Sequence, residues 1–175
     1  MKKIRVGVAV VVILVLAYIF AAPYITIYQM KNAAENHDGE ALSEHVDFPV
    51  LRQSLKDQMN LMLGKEMAKQ TAEDNPFATI GAAFGGMMVE KMVDAYVTPA
   101  AITELMKGEK PDSKRIGIKS MEQASSKLLS NASMSYESFS KFSITIRDAE
   151  SDNKVKFILR RRGIGWKLTE IMLPL

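Results

Sequence analysis

The chain has 175 residues, no cysteine and a formal net charge of +3. Disulfides and thiolate sites are therefore excluded, and stability must come from packing. Lys2, Lys3 and Arg5 account for the whole excess. Beyond them 20 basic residues balance 20 acidic ones with no long basic run, which argues against a nucleic-acid-binding surface.

Val6 to Ala22 is an uncharged run of 17 residues, and the next charge after it is Lys31. A helix needs about 20 apolar residues to cross a hydrocarbon core of roughly 30 Å. The stretch Val6–Ile27 meets that length, and Tyr18, Tyr24 and Tyr28 gather near its far end, as interfacial rings do. A cleaved signal peptide is the competing reading. It fits less well, because Ile19 or Phe20 would stand three residues before the cut and Pro23 would crowd it. The expected organisation is a basic cytoplasmic tail (1–5), a transmembrane signal anchor (6–27) and one extracytoplasmic domain (28–175). The positive end stays inside, so the protein is expected in a bacterial inner membrane as a single-pass protein. Its N-terminus is cytoplasmic, its domain periplasmic, and the bilayer contacts residues 6–27.

Tyr24 to Asn36 has helical spacing, with Ile27, Met30, Ala33 and Ala34 on one side and Pro23 as the point of a bend. Asp38-Gly39 breaks the pattern before a short turn around Leu42. Asp47 suits the N-cap of the next helix and Pro49 its first turn. Leu51, Leu55, Gln58, Met59, Met62 and Met67 form the stripe of that helix. Asp74-Asn75-Pro76 is a loop, and Phe77–Tyr96 is a second long helix. The uncharged part, Phe77–Val89, is too short to cross a bilayer. Gly81 and Gly85 within it allow close approach of a neighbour. Thr98 caps a helix opened by Pro99. Residues 108–119 read as loop, and 120–130 have no clear period.

From Ser133 the period changes to two. Met134 and Tyr136, then Phe142, Ile144 and Ile146, then Val155, Phe157 and Leu159 share inward faces, with 148–153 as a turn-rich segment. Gly163-Ile164-Gly165 is a tight turn. Trp166, Leu168, Ile171 and Leu173 make the last strand, and their odd spacing predicts a bulge. Helices first and strands last define an α+β fold. An N-terminal transmembrane helix is followed by helices packed on a curved antiparallel sheet of three to four C-terminal strands. Such a cone can enclose a pocket.

Several segments together resemble an uncharacterised bacterial family, domain of unknown function 2939. They are Pro23-Tyr24, Asp38, Leu42, Val46-Asp47-Phe48-Pro49, Leu51–Lys56, Val97-Thr98-Pro99, Arg162–Leu168 and Ile171–Pro174. The resemblance spans residues 23–174 and implies no activity, cofactor or catalytic residue. The closing strand is also similar to that of nuclear transport factor 2-like or cystatin-like folds, which host enzymes, binders and structural domains alike.

Among single residues, Arg52 with Lys56 one turn on can hold an anion, or Arg52 can pair with a carboxylate near the Asp47 cap. Arg160 and Arg162 share a strand face opposite Arg161. They suit anionic head groups or an acidic partner, or simply protect a strand from edge pairing. Trp166, the only tryptophan, is a core anchor or a ligand-stacking ring. His37 and His45 match no metal-binding spacing. The twelve methionines fill the core or form an adaptable apolar surface. No metal site, cofactor, phosphate loop or nucleophile motif is present in the sequence. The expected function is therefore a non-enzymatic interaction or accessory module of the cell envelope with an envelope protein as partner. The alternatives are a binder of an apolar or amphipathic ligand, and an enzyme using a pocket carboxylate such as Asp47.

Overall fold

A computed structural model describes residues 2–70, 76–106, 132–147 and 154–173. The sequence expectations for 74–75, 108–130 and 148–153 lie outside the described residues.

The first helix, α1 (Lys2–Glu35), is continuous and contains Pro23. Side chains from Val6 to Tyr18 are exposed, whereas Ala22, Pro23, Thr26, Ile27 and Ala33 are buried. One helix thus serves two environments: a bare apolar half and a half that belongs to the domain. The helical stretch from Tyr24 continues the apolar run as one helix, as its spacing suggested, because Pro23 removes one backbone hydrogen bond without stopping the flanking turns.

The helix ends in a Schellman motif. Asp38 N–H donates to the Ala33 carbonyl (2.8 Å) and His37 N–H to the Ala34 carbonyl (3.2 Å). His37 takes the left-handed conformation there, with φ of 54°. Asp38 then caps α2 (Gly39–Glu44) by accepting from Ala41 N–H at 2.9 Å. Gly39 is needed for close approach, since a Cβ at this position would overlap the backbone of Thr103. Thr103 lies in α5 (Pro99–Met106), whose N-terminus is capped by Thr98 Oγ1 accepting from Ala101 N–H at 3.1 Å.

Between these elements run α3 (Phe48–Gln70) and α4 (Pro76–Tyr96), which pack on each other. At Gly85 the Leu63 side chain fills the space a Cβ would take. The small residue brings the two helices together, as its spacing suggested.

Four strands follow in a meander: β1 (Ala132–Ser138), β2 (Lys141–Arg147), β3 (Lys154–Arg162) and β4 (Gly165–Met172), in that spatial order and all antiparallel. The expected bulge is present. Leu159 pairs with Leu168 and Ile158 with Glu170, which leaves Thr169 as the extra residue. Its hydroxyl donates to the Ile158 carbonyl at 3.2 Å. The segment between α2 and α3 covers the edge of β4. Val46 forms a parallel bridge to Leu168, with Asp47 N–H to Leu168 O at 2.9 Å and Leu168 N–H to His45 O at 2.8 Å.

The core lies between α1, the start of α3 and one sheet face. Phe142, Leu159, Trp166, Leu168, Ile144 and Ile146 meet Ala22, Ile27, Val46, Phe48 and Leu51. Each large apolar side chain buried here contributes about 1.5–3 kcal/mol. An exposed ion pair contributes about 0–1 kcal/mol, so apolar contact holds α1 to the sheet. Among the described residues no methionine is fully buried. Met30 and Met134 only flank the core, and Met87 and Met88 are exposed. Core filling by methionine is therefore corrected: branched and aromatic side chains do that work.

The other sheet face also departs from simple alternation. Ile158, expected to point outward among charges, is fully buried there, with Ser143. Beside it Glu137 accepts from Lys141 Nζ at 2.8 Å and from Lys156 Nζ. Hydrogen bonds from Lys141 and then Lys156 draw its carboxyl down to about 2.

Two outcomes test this packing. Gly39→Ala is expected to cost about 1–3 kcal/mol through overpacking against α5, read by urea unfolding of the detergent-solubilised full chain. Glu137 has a depressed folded pKa, so its contribution is present above the ordinary carboxylate range and lost as pH falls toward 2. Glu137→Gln should flatten stability between about pH 4.5 and 2; an unchanged acid limb would show that the two lysines do not hold it.

Candidate functional site

Proline at position 23 has no N–H, so the Ile19 carbonyl loses its helical partner. The sheet supplies a replacement. Arg161 Nη2 donates to the Ile19 carbonyl at 3.4 Å. One residue along, the Tyr136 hydroxyl donates to the Phe20 carbonyl at 2.8 Å. Burial raises the Tyr136 pKa above the ordinary value, which keeps the phenol a donor.

Aromatic rings surround this junction. Tyr136 meets Phe20, Phe142 and Trp166 edge-on at centroid distances of 6.0, 4.8 and 5.9 Å, and Tyr24 meets Phe142 at 4.9 Å. The Arg161 guanidinium lies 4.3 Å from the Phe139 ring centre and 5.1 Å from that of Trp166. Arg161 Nε and Trp166 Nε1 are buried without a hydrogen-bond partner among the described residues.

Two cavities flank the buried half of α1. The first, about 240 Å³, lies at the junction between α1, the end of α2 and the β3–β4 turn, and its lining includes Tyr18, His45, Arg162, Ile164, Trp166 and Lys167. Burial lowers the His45 pKa; neighbouring Glu44 opposes this and Lys167 adds to it. The second, about 220 Å³, lies between α1 and the sheet. Apart from Lys31 its lining is apolar and includes Ile27, Met30, Leu42, Ile144, Phe157 and Leu168.

The structure separates the residues that sequence reasoning grouped. Lys56 bonds Asp94 of α4 at 2.7 Å and so ties two helices together. Arg52 is half-buried on α3 and makes no ion pair with another described residue. Arg160 holds Glu170 through Nε at 3.0 Å and Nη2 at 2.7 Å. Arg162 Nε bonds the Asp47 carboxylate at 2.8 Å. The Asp47 carboxylate thus meets a strand across the fold, whereas its carbonyl starts the α3 ladder by accepting from Leu51 N–H. Trp166 is 2 % exposed and sits in the core as expected, with its ring also lining the first cavity. His37 closes a helix and His45 lines a cavity. No three His, Asp or Glu side chains among the described residues converge as metal ligands.

Arg161 and Tyr136 are the residues the sequence reading passed over. Two signals pointed to Arg161. Its strand phase is that of Phe157 and Leu159, the buried face. And a proline inside an apolar helix calls for a donor from elsewhere.

Fold and junction define an α+β domain built onto the end of a helix that is long and apolar enough to cross a membrane. The family model described as a protein of unknown function (DUF2939) matches residues 12–105, more than half of the sequence, and the chain belongs to that family. The matched part contains Pro23, Asp47 and Arg52 and stops before the sheet. No curated protein and no solved structure matches the chain.

The junction makes a testable energetic claim. Arg161→Met should destabilise the full chain by about 2 kcal/mol, the scale of a charged hydrogen bond. In a Pro23→Ala background, where residue 23 again has an N–H for Ile19, the same change should cost less. Equal costs in both backgrounds, measured as a double-mutant cycle by urea unfolding, would disprove the coupling.

Proposed function

We propose that this chain is a single-pass membrane-anchored module whose extracytoplasmic domain docks a second cell-envelope protein and catalyses nothing. Residues 1–5 stay in the cytoplasm, 6–27 cross the bacterial inner membrane and 28–175 form the periplasmic domain. The basic start and the bare apolar half of α1 support this topology.

The observation that carries the docking role is the α3–α4 hairpin. Gln58 of α3 meets the end of β4, donating to the Ile171 carbonyl at 2.8 Å and accepting from Leu173 N–H at 3.2 Å. Beyond that contact α3 continues for twelve residues, about 18 Å of helix. On this hairpin Leu61, Phe84, Met87 and Met88 are exposed, the last two being the adaptable side chains that suit a protein surface. A group of large apolar residues on a projecting hairpin marks an interaction surface.

A second reading rests on the groove of about 220 Å³ beneath α1. Its apolar lining with Lys31 beside it fits the tail and anionic head of a small amphipathic ligand.

The docking role is tested by placing a photo-crosslinking amino acid at Phe84 or Met88 in the full chain within intact cells. A discrete heavier adduct from these positions, and none from Lys154, is expected. Absence of an adduct at both hairpin positions, with a bound amphiphile detected by native mass spectrometry of the membrane-extracted protein, would replace the docking reading with the second one.

A further inference from the structure

We infer that the turn end of the sheet is itself seated in the bilayer surface, with Phe139 and Ile164 immersed beside α1. The inference rests on the proposed role of α1 as a membrane span.

The antiparallel meander places the β1–β2 and β3–β4 turns at the same end of the sheet. Each presents one large apolar side chain to the outside: Phe139 is 63 % and Ile164 86 % exposed. A two-residue turn with glycine first, Gly163 at φ of 62°, carries Ile164 at its tip. Turn tips are normally polar, so two such residues at one end need a reason.

The hydrogen bonds to α1 fix the level of this end. Arg161, which packs on Phe139, reaches the Ile19 carbonyl, and Ile164 lines one cavity with Tyr18 and Ala22. These α1 residues belong to the apolar run. At 1.5 Å per residue from Val6, a hydrocarbon core of about 30 Å extends to about residue 25. The two tips therefore lie no farther out than the last turns of the span, and a bilayer that surrounds Leu16 and Phe20 must meet them.

The polar groups at this level suit that setting. The Ile19 carbonyl, freed by Pro23, is satisfied from within the protein, as backbone in hydrocarbon requires. Arg162, Lys167 and Glu44 line the adjoining cavity; Arg162 is held by Asp47, and Lys167 is the cation there that favours an anionic lipid head group. Tyr18 beside them is an interfacial ring. The surface is continuous with the bare helix face, which is why lipid, rather than a protein, is its partner.

The absence of cysteine permits a direct test on the full chain. Single spin labels are placed through Leu14→Cys, Phe139→Cys, Ile164→Cys and Lys154→Cys. Each protein is reconstituted into vesicles of phosphatidylethanolamine and phosphatidylglycerol. The labels at 14, 139 and 164 should lose relaxation by an aqueous nickel chelate, while the label at 154, at the opposite end of the sheet, keeps it. Nickel access at 139 or 164 equal to that at 154, with 14 protected, overturns the seating and leaves the span intact. Nickel access at 14 overturns the span and the seating together. All four positions are exposed in the fold, and only the label at 139 replaces a packing contact, that of Phe139 with Arg161.

Discussion

Apolar contact holds α1 to the sheet, and one carbonyl marks where the two meet. Pro23 leaves the Ile19 oxygen without its helical N–H, and the donor that answers it, Arg161, comes from a strand 142 residues along the chain. In an apolar setting an unsatisfied backbone group is costly, so this contact favours the register in which helix and sheet pack. Tyr136, donating to Phe20 one residue on, makes the attachment two-pronged. The rings of Tyr24, Phe142 and Trp166 pack around it and hold the donors in place.

From this junction the rest of the architecture follows along α1. The helix face that carries Ala22, Thr26, Ile27 and Ala33 is committed to the domain, so the bare apolar half and the core half are parts of one rod. Its C-terminal Schellman turn sends the chain into α2, and α2 delivers Val46 to the edge of β4. The Thr169 bulge then sits one residue past that bridge and changes the phase of β4. Leu168 and Ile171 thereby both face the helices although they are three apart. The apolar groove lies along this same contact, between the buried half of α1 and the sheet face.

Membership of the DUF2939 family covers residues 12–105, the half that includes Pro23. The donors that satisfy Pro23's effect are in the other half. The matched region therefore contains the fault in the helix, and the sheet contains its repair. The charged residues named from local pattern are engaged separately. Lys56 and Arg162 pair with carboxylates remote in sequence, Asp94 and Asp47, and Arg160 pairs with Glu170 across the β3–β4 hairpin. Which acid meets which base depends on strand register and helix packing, neither of which local spacing encodes.

What the sequence determined by itself was local in origin. The apolar run with cations before it made a membrane-length helix. Thr98-Pro99 started α5, period-two alternation made the strands, and the three-residue step from Leu168 to Ile171 required a bulge. Each is set by neighbours within a few residues, through backbone geometry or side-chain period. The tertiary structure decided the rest: that Arg161 lies inward against Ile19, and that Ile158 is buried on the face expected to be polar. It also kept the described methionines to the margins of the core. The physical reason is that burial and hydrogen-bond satisfaction are settled between segments far apart in the chain. A proline announces a missing donor, but only the folded sheet supplies one.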